Sequence, residues 1–234
     1  MKSLFQVIGI TCLVACCYLP ALSQNTLNSA SPHKASVGIH VGTQGIGITA
    51  AKPLTEQLGI HAGVSFLPFN TSVSDKYGQY NTDSDVKARF SNIQVALDWA
   101  PLYAKESFFR HFTVSGGAAY FFKADGDLES RLTDPYFYGD IEVAPEDIGV
   151  LYTNISWKNS IAPYLSVGFS NIALNDDLDL GFSLGSYYLP SPSVTMVGTE
   201  LLQDNAFNAP IIEENAKDYR FLPVLQVNFS YKIK

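Results

Sequence analysis

Three histidines, His40, His61 and His111, fall in stretches where apolar and polar residues alternate. Imidazole is the commonest metal ligand and the side chain that titrates nearest neutral pH. All three sit on the polar side of the alternation, on separate segments, so a metal centre must be considered. Their spacing matches no ligand motif, and the expectation is a polar network with no bound metal. A second candidate is Asp125-Gly126-Asp127-Leu128-Glu129, whose carboxylates recur at every second position. Such a row can hold Ca²⁺, but the further ligands of an EF-hand loop are missing, and a solvated loop is expected. Gly42-Thr43-Gln44-Gly45-Ile46-Gly47 is not a dinucleotide fingerprint, because its spacing is wrong and no helical pattern follows. The cysteines are Cys12, Cys16 and Cys17, all near the N-terminus. A chain that loses that segment has no thiolate nucleophile, no disulfide and no cysteine metal site. No cofactor is expected.

The elements that carry these residues have a period of two. In Leu225-Gln226-Val227-Asn228-Phe229-Ser230-Tyr231-Lys232-Ile233 every odd position is apolar or aromatic and every even position is polar. That is a strand with one apolar and one polar face. The same alternation runs through Val37, Ile39 and Val41, and resumes out of phase at Ile46 and Ile48. The phase change marks two short strands or one bulged strand, with two favoured. Further rows are Leu58 to Phe66, Ile93 to Trp99, Phe112 to Phe122, Ile161 to Phe169 and Leu178 to Tyr188. Val150 to Trp157 reads as an outer hairpin arm.

These rows predict an all-β fold, an antiparallel transmembrane β-barrel of about eight strands over residues 35–234. Short turns at Pro53–Gln57, Leu102–Ser107 and Asn175–Asp177 alternate with long loops at Asn70–Asp85, Ala124–Asp147 and Leu189–Arg220. Bacterial outer-membrane barrels show that asymmetry, with short periplasmic turns and long external loops. Composition agrees. Of 234 residues only 16% are charged and 13% are aromatic, and 17 glycines and 12 prolines suit many short strands. The formal charge of −7, with no basic cluster, argues against nucleic-acid binding. No apolar run long enough for a membrane helix follows the first two dozen residues.

The start reads as a signal peptide over 1–23. Lys2 supplies the positive charge, Leu4 to Leu19 the apolar stretch, and Pro20 a break before Ala21-Leu22-Ser23. Cleavage after Ser23 is favoured. Leu13-Val14-Ala15-Cys16 offers a lipobox-like alternative, with lipidation at Cys16. Residues 24–34 read as a flexible N-terminal lead.

The pattern resembles the small outer-membrane β-barrel family of Gram-negative bacteria, the porin-like and OmpA-type transmembrane domains. The resemblance rests on Val41-Gly-Thr-Gln-Gly-Ile-Gly47, Ala162-Pro-Tyr-Leu-Ser-Val-Gly-Phe169 and Phe221-Leu-Pro-Val-Leu-Gln-Val-Asn-Phe-Ser-Tyr231. It implies an address in the outer membrane, contact with outer-membrane lipid and lipopolysaccharide, insertion by the barrel-insertion machinery, and a monomer. His111-Phe112-Thr113 resembles the His-x-Ser pair of outer-membrane lipid A deacylases. In those enzymes the pair faces lipid. Here the phase turns both residues inward and Thr replaces Ser, so no catalysis is expected.

A lumen of eight strands is just wide enough for side chains to fill. The inward set is His40, His61, Asn92, Gln94, Asp98, His111, Thr113, Ser115, Asp179, Gln226, Asn228 and Lys232. Trp99, Tyr120, Tyr188 and Tyr231, at row ends, read as interfacial aromatics. The expected role is structural, or a narrow passage for a solute. The alternatives are a surface-loop binding or adhesion module on a barrel, and a secreted lipocalin-like binder of a small ligand.

Overall fold

The computed structural model describes residues 35–233, except 79, 158 and 159. The leader 1–23, with Cys16 and the Ser23 cleavage site, and the lead 24–34 lie outside the described residues. In chain order the strands are β1 (Ser36–Gly42), β2 (Gly45–Pro53), β3 (Leu58–Tyr77), β4 (Tyr80–Trp99), β5 (Phe112–Leu132), β6 (Tyr136–Tyr138), β7 (Ile141–Val143), β8 (Val150–Ser156), β9 (Ser160–Ala173), β10 (Leu178–Tyr188), β11 (Ser193–Gly198) and β12 (Phe221–Lys232).

Eight of them close into an antiparallel ring in the order β1-β2-β3-β4-β5-β9-β10-β12 and back to β1. Two strands make the closure. β12 pairs with β1 through Val41↔Val227 and with β10 through Phe182↔Val227. β5 pairs with β4 through Val95↔Ala118 and with β9 through Ala118↔Pro163. A closed ring leaves no backbone edge unpaired, which is what a hydrocarbon environment demands.

The segment around residue 44 is two strands. Gly42 pairs with Gly45 across the two-residue turn Thr43-Gln44, and Gly45 takes a φ of 95°, a conformation that favours glycine. The turns at 54–57 and 174–177 are tight and lie at one end of the ring. There Leu54 N–H donates to the Leu58 carbonyl and Leu174 N–H to that of Leu178. The connection from β4 to β5 at the same end carries a 3-10 turn, Phe108–His111. The longer connections gather at the other end. One irregularity bends β9: its register with β10 shifts between Leu180 and Phe182, beside Asn171 at a φ of 56°.

Three expected loops are largely ordered structure. Asn70–Asp85 forms the far arms of β3 and β4, paired from Leu67↔Phe90 to Tyr77↔Tyr80. Ala124–Asp147 is not irregular throughout, because β5 continues to Leu132, and β6, β7 and a helix Pro145–Ile148 follow. Leu189–Arg220 holds β11, a 3-10 helix Glu200–Asn208 and a helix Ala209–Ala216. In the far arms of β3, β4 and β5 apolar residues are too sparse for a two-residue period to announce a strand, and the ladders between these arms make them strands. Together β3, β4, β5, β8 and β11 form a five-stranded extension that rises beyond the ring at the long-connection end. The helical segments Glu200–Asn208 and Ala209–Ala216 pack on β11.

Candidate functional site

The faces are distributed inside out. Ile39, Leu97, Ile161 and Leu165 are 62%, 56%, 73% and 63% exposed, whereas Gln94, Asn92 and Ser65 are 1% exposed or less. Large apolar side chains line the outside of the ring, and the buried polar ones point into it. The pleat enforces this, since neighbouring residues must point to opposite faces.

Three polar groups fill the short-turn end. Asp98, next to last in β4, lies 2.8 Å from His61 Nδ1 and accepts the Ser115 hydroxyl at 2.6 Å. Lys232 Nζ pairs with Asp179 at 2.9 Å. Thr113 Oγ1 and Ser170 Oγ are 2.6 Å apart, and His111 Nδ1 donates to the Ser170 carbonyl at 3.1 Å. Asp98 thus stands with His61 and Ser115, while Asp179 and Lys232 form a separate pair. A single network holding all three charges does not form. His111 sits at the rim of the ring, only partly buried.

Above them His40 is held from both ring nitrogens, by Thr49 Oγ1 at 2.8 Å and Ser65 Oγ at 2.9 Å. Gly47 makes room for that ring, because a Cβ there would collide with His40 Nε2 and the Val64 carbonyl. A Ser–His contact is one half of a nucleophilic device. Here both residues are sealed, at 0% and 2% exposure, so no substrate reaches them. At Ser115 the hydroxyl is spent on Asp98 and not on a histidine.

The long-connection end is closed by one tyrosine and three glutamines. The buried Tyr187 hydroxyl lies within hydrogen-bond distance of Gln94 Oε1 and, at 2.6 Å, of Gln44 Oε1, and its one proton serves one of the two. Gln44 Nε2 donates to Gln226 Oε1, and Gln226 Nε2 to Asn228 Oδ1. The Tyr187 ring stacks on Tyr164 with centroids 4.8 Å apart and meets Phe121 edge-on at 5.1 Å. Ala96, Ala119, Ala162, Leu189 and Val224 complete a buried apolar cluster around them. Asn92 is buried nearby, and its amide has no hydrogen-bond partner among the described residues. The lumen therefore ends in an apolar and aromatic plug, where polar side chains alone were expected.

Sequence reasoning missed Gln44, Thr49, Ser65, Tyr164 and Tyr187. Parity would have found four of them, since they share the inward phase of their strands. Gln44 lies in a turn, where parity says nothing. The four expected interfacial aromatics all point outward and are partly exposed: Trp99 and Tyr231 near the short-turn end, Tyr188 at the other, and Tyr120 opposite Ile93 and Ile161. The Arg220 guanidinium lies 4.4 Å from the centre of the Tyr188 ring.

The acidic run does not form a cation loop. It lies in β5, where Arg89 pairs with Asp125 and, at 2.7 Å, with Asp127, and Glu129 lies 3.9 Å from Arg131. With an arginine between two of the carboxylates, the charge a Ca²⁺ ion would need is already neutralised. Among the described residues no group of His, Cys, Asp or Glu side chains has metal-site geometry.

Two solved structures are similar over nearly their whole length. The crystal structure of Acinetobacter baumannii CarO2 superposes with a TM-score of 0.63 at 20% identity, covering 86% of this chain and 99% of that one. That of Acinetobacter baumannii CarO gives 0.62 at 23% identity, covering 90% and 100%. The chain has the fold of a small outer-membrane β-barrel. No protein-family model matches it, and no curated protein does. At these identities the likeness is one of fold, and the lumen contacts described above belong to this chain's own residues.

Proposed function

We propose that this protein is an integral barrel of the bacterial outer membrane, with a closed lumen and a structural role in place of an open pore. The observation that carries the reading is the buried Tyr187, whose hydroxyl ties Gln44 and Gln94 together across the lumen while its ring packs on Tyr164 and Phe121. The outward rows provide the lipid-facing surface, so the short turns lie in the periplasm and the five-stranded extension lies outside the cell. Lipid and lipopolysaccharide contact the outer wall, and the barrel-insertion machinery places it there as a monomer. A lipocalin-like binder needs the opposite distribution, with apolar side chains inside and charged ones outside.

The test is a planar bilayer holding the refolded protein, with a heat-modifiable band in the outer-membrane fraction as the check on location. The parent passes almost no current. Tyr187→Ala removes the keystone ring at a cost of about 3–5 kcal/mol and opens a small steady conductance. A large steady conductance in the parent overturns the closed lumen. A soluble fraction overturns the membrane address.

A further inference from the structure

A sheet that does not close has two edges, and each is a template for another strand unless something covers it. The extension has two such edges, and they are treated differently. At one, β11 lies under the helical segments of residues 200–216, and the Glu213 carboxylate accepts the Val194 N–H at 2.9 Å. At the other, β2 accompanies β3 only as far as Ile46↔Phe66, while β3 continues with β4 to Tyr77↔Tyr80. No described strand lies beyond that far half of β3.

The direction of the bare groups follows from the ladder. The carbonyls of Val64 and Phe66 lie against Gly47 and Gly45 of β2. The β3–β4 register has no bulge, so the two-residue period sends the backbone groups of Pro68, Asn70, Ser72, Ser74 and Lys76 to that same side. Pro68 fits this placement, since proline is tolerated in a strand where its missing N–H would face no partner. The Lys76 N–H is satisfied locally by the Asp75 carboxylate at 2.7 Å. That leaves Asn70, Ser72 and Ser74, all exposed, between a proline and a charged pair of the kind that guards edges.

We infer that this edge of β3 is a strand-addition site for an extended segment of another polypeptide outside the cell. Hydrogen bonds to Asn70, Ser72 and Ser74 would supply the binding, and the flanking side chains would select the partner. One face of β3 offers Phe69 and Val73, about half exposed, with Thr71 between them. On the other face Ser72 and Ser74 already donate to Asp85 and Asp83, which leaves carboxylates beside the edge. The matching segment alternates β-branched or apolar residues with basic ones. A second copy fits less well. Two copies in one membrane point the same way, so their β3 edges could meet only in parallel, the weaker pairing. That step rests on the membrane reading. The edge itself does not, so failure of the test leaves the barrel untouched.

The probe is a synthetic peptide of about ten residues alternating Val and Lys, long enough to span roughly 33 Å. Its control is the same peptide N-methylated on alternate amides. The full chain, refolded in detergent micelles, is followed by fluorescence anisotropy and amide hydrogen exchange. The expected result is saturable binding with slowed exchange at Asn70, Ser72 and Ser74. Binding should be about tenfold weaker for the methylated peptide, and about tenfold weaker for Ser72→Pro, which removes one edge-facing N–H and leaves the β4 ladder intact. If Ser72→Pro fails to fold, the methylated peptide still decides. Equal binding of the two peptides overturns the proposal, as does protection at Val194 to Val197 instead of at β3. Protection of the β3 edge that rises with protein concentration alone assigns the site to a second copy and also overturns it.

Discussion

The pair Asp179–Lys232 allows a prediction that can be worked through. Its charges lie 2.9 Å apart, and the side chains are 7% and 21% exposed. Removing one member of a buried pair strands the other charge, at a typical cost of about 3–5 kcal/mol. The two halves are not equivalent. Lys232 is the last residue of β12, with its Nζ 3.5 Å from the exposed Asp176 carbonyl, so it can swing its ammonium into water at the short-turn end. Asp179 is on a short side chain inside the lumen and cannot follow. Lys232→Met should therefore cost the full range, about 3–5 kcal/mol, and Asp179→Ala less, roughly 2–3 kcal/mol. The double variant removes both charges and should return to within about 1 kcal/mol of the parent, a coupling well above that of independent sites. The assay is urea unfolding in detergent micelles followed by tryptophan fluorescence. With a slope of about 1–3 kcal/mol per molar urea, each single variant moves the midpoint by roughly 1 M or more. Two results refute the reasoning: single variants with the parent's midpoint, or a double variant as weak as the two losses added.

Leu97→Arg puts a guanidinium on the outer wall, where Leu97 is 56% exposed, and should cost about 2–4 kcal/mol in lipid vesicles. Insertion and denaturant resistance equal to the parent would mean that this wall does not face lipid. Gly47→Ala drives a methyl into His40 Nε2 and the Val64 carbonyl, and should cost about 1–3 kcal/mol by urea midpoint, with loss of the His40–Ser65 contact in imidazole NMR shifts. The Asp134 carboxyl, outside the ring, is held below its ordinary value of 3.8 by the Asn81 backbone N–H and side-chain amide. A depressed pKa means that the contact is complete above the ordinary value and lost only as pH falls below it. The Asn81 amide shift should therefore stay constant down to about pH 4 and move below that, and in Asp134→Ala it should not respond to pH there.

Much of this barrel is written locally. Parity alone sends Ile39, Leu97 and Leu165 outward and His40, Gln94 and Asp179 inward, because the pleat fixes the side of every residue once its strand is recognised. Short turns announce themselves in the same local way, through Pro53 or Asn175-Asp176-Asp177. Tertiary structure decided the rest. Which inward residues meet depends on the stagger of strands far apart in the chain. Asp98 therefore joins His61 and Ser115 and not Lys232, and Gln44 reaches Tyr187 from 143 residues away. The far arms of β3, β4 and β5 carry only sparse apolar residues, because they extend beyond the closed ring. Only the ladder between them makes them strands. Periodicity reports the solvent on each face of a strand, whereas partners and closure are set by contacts between strands, which no single stretch of sequence contains.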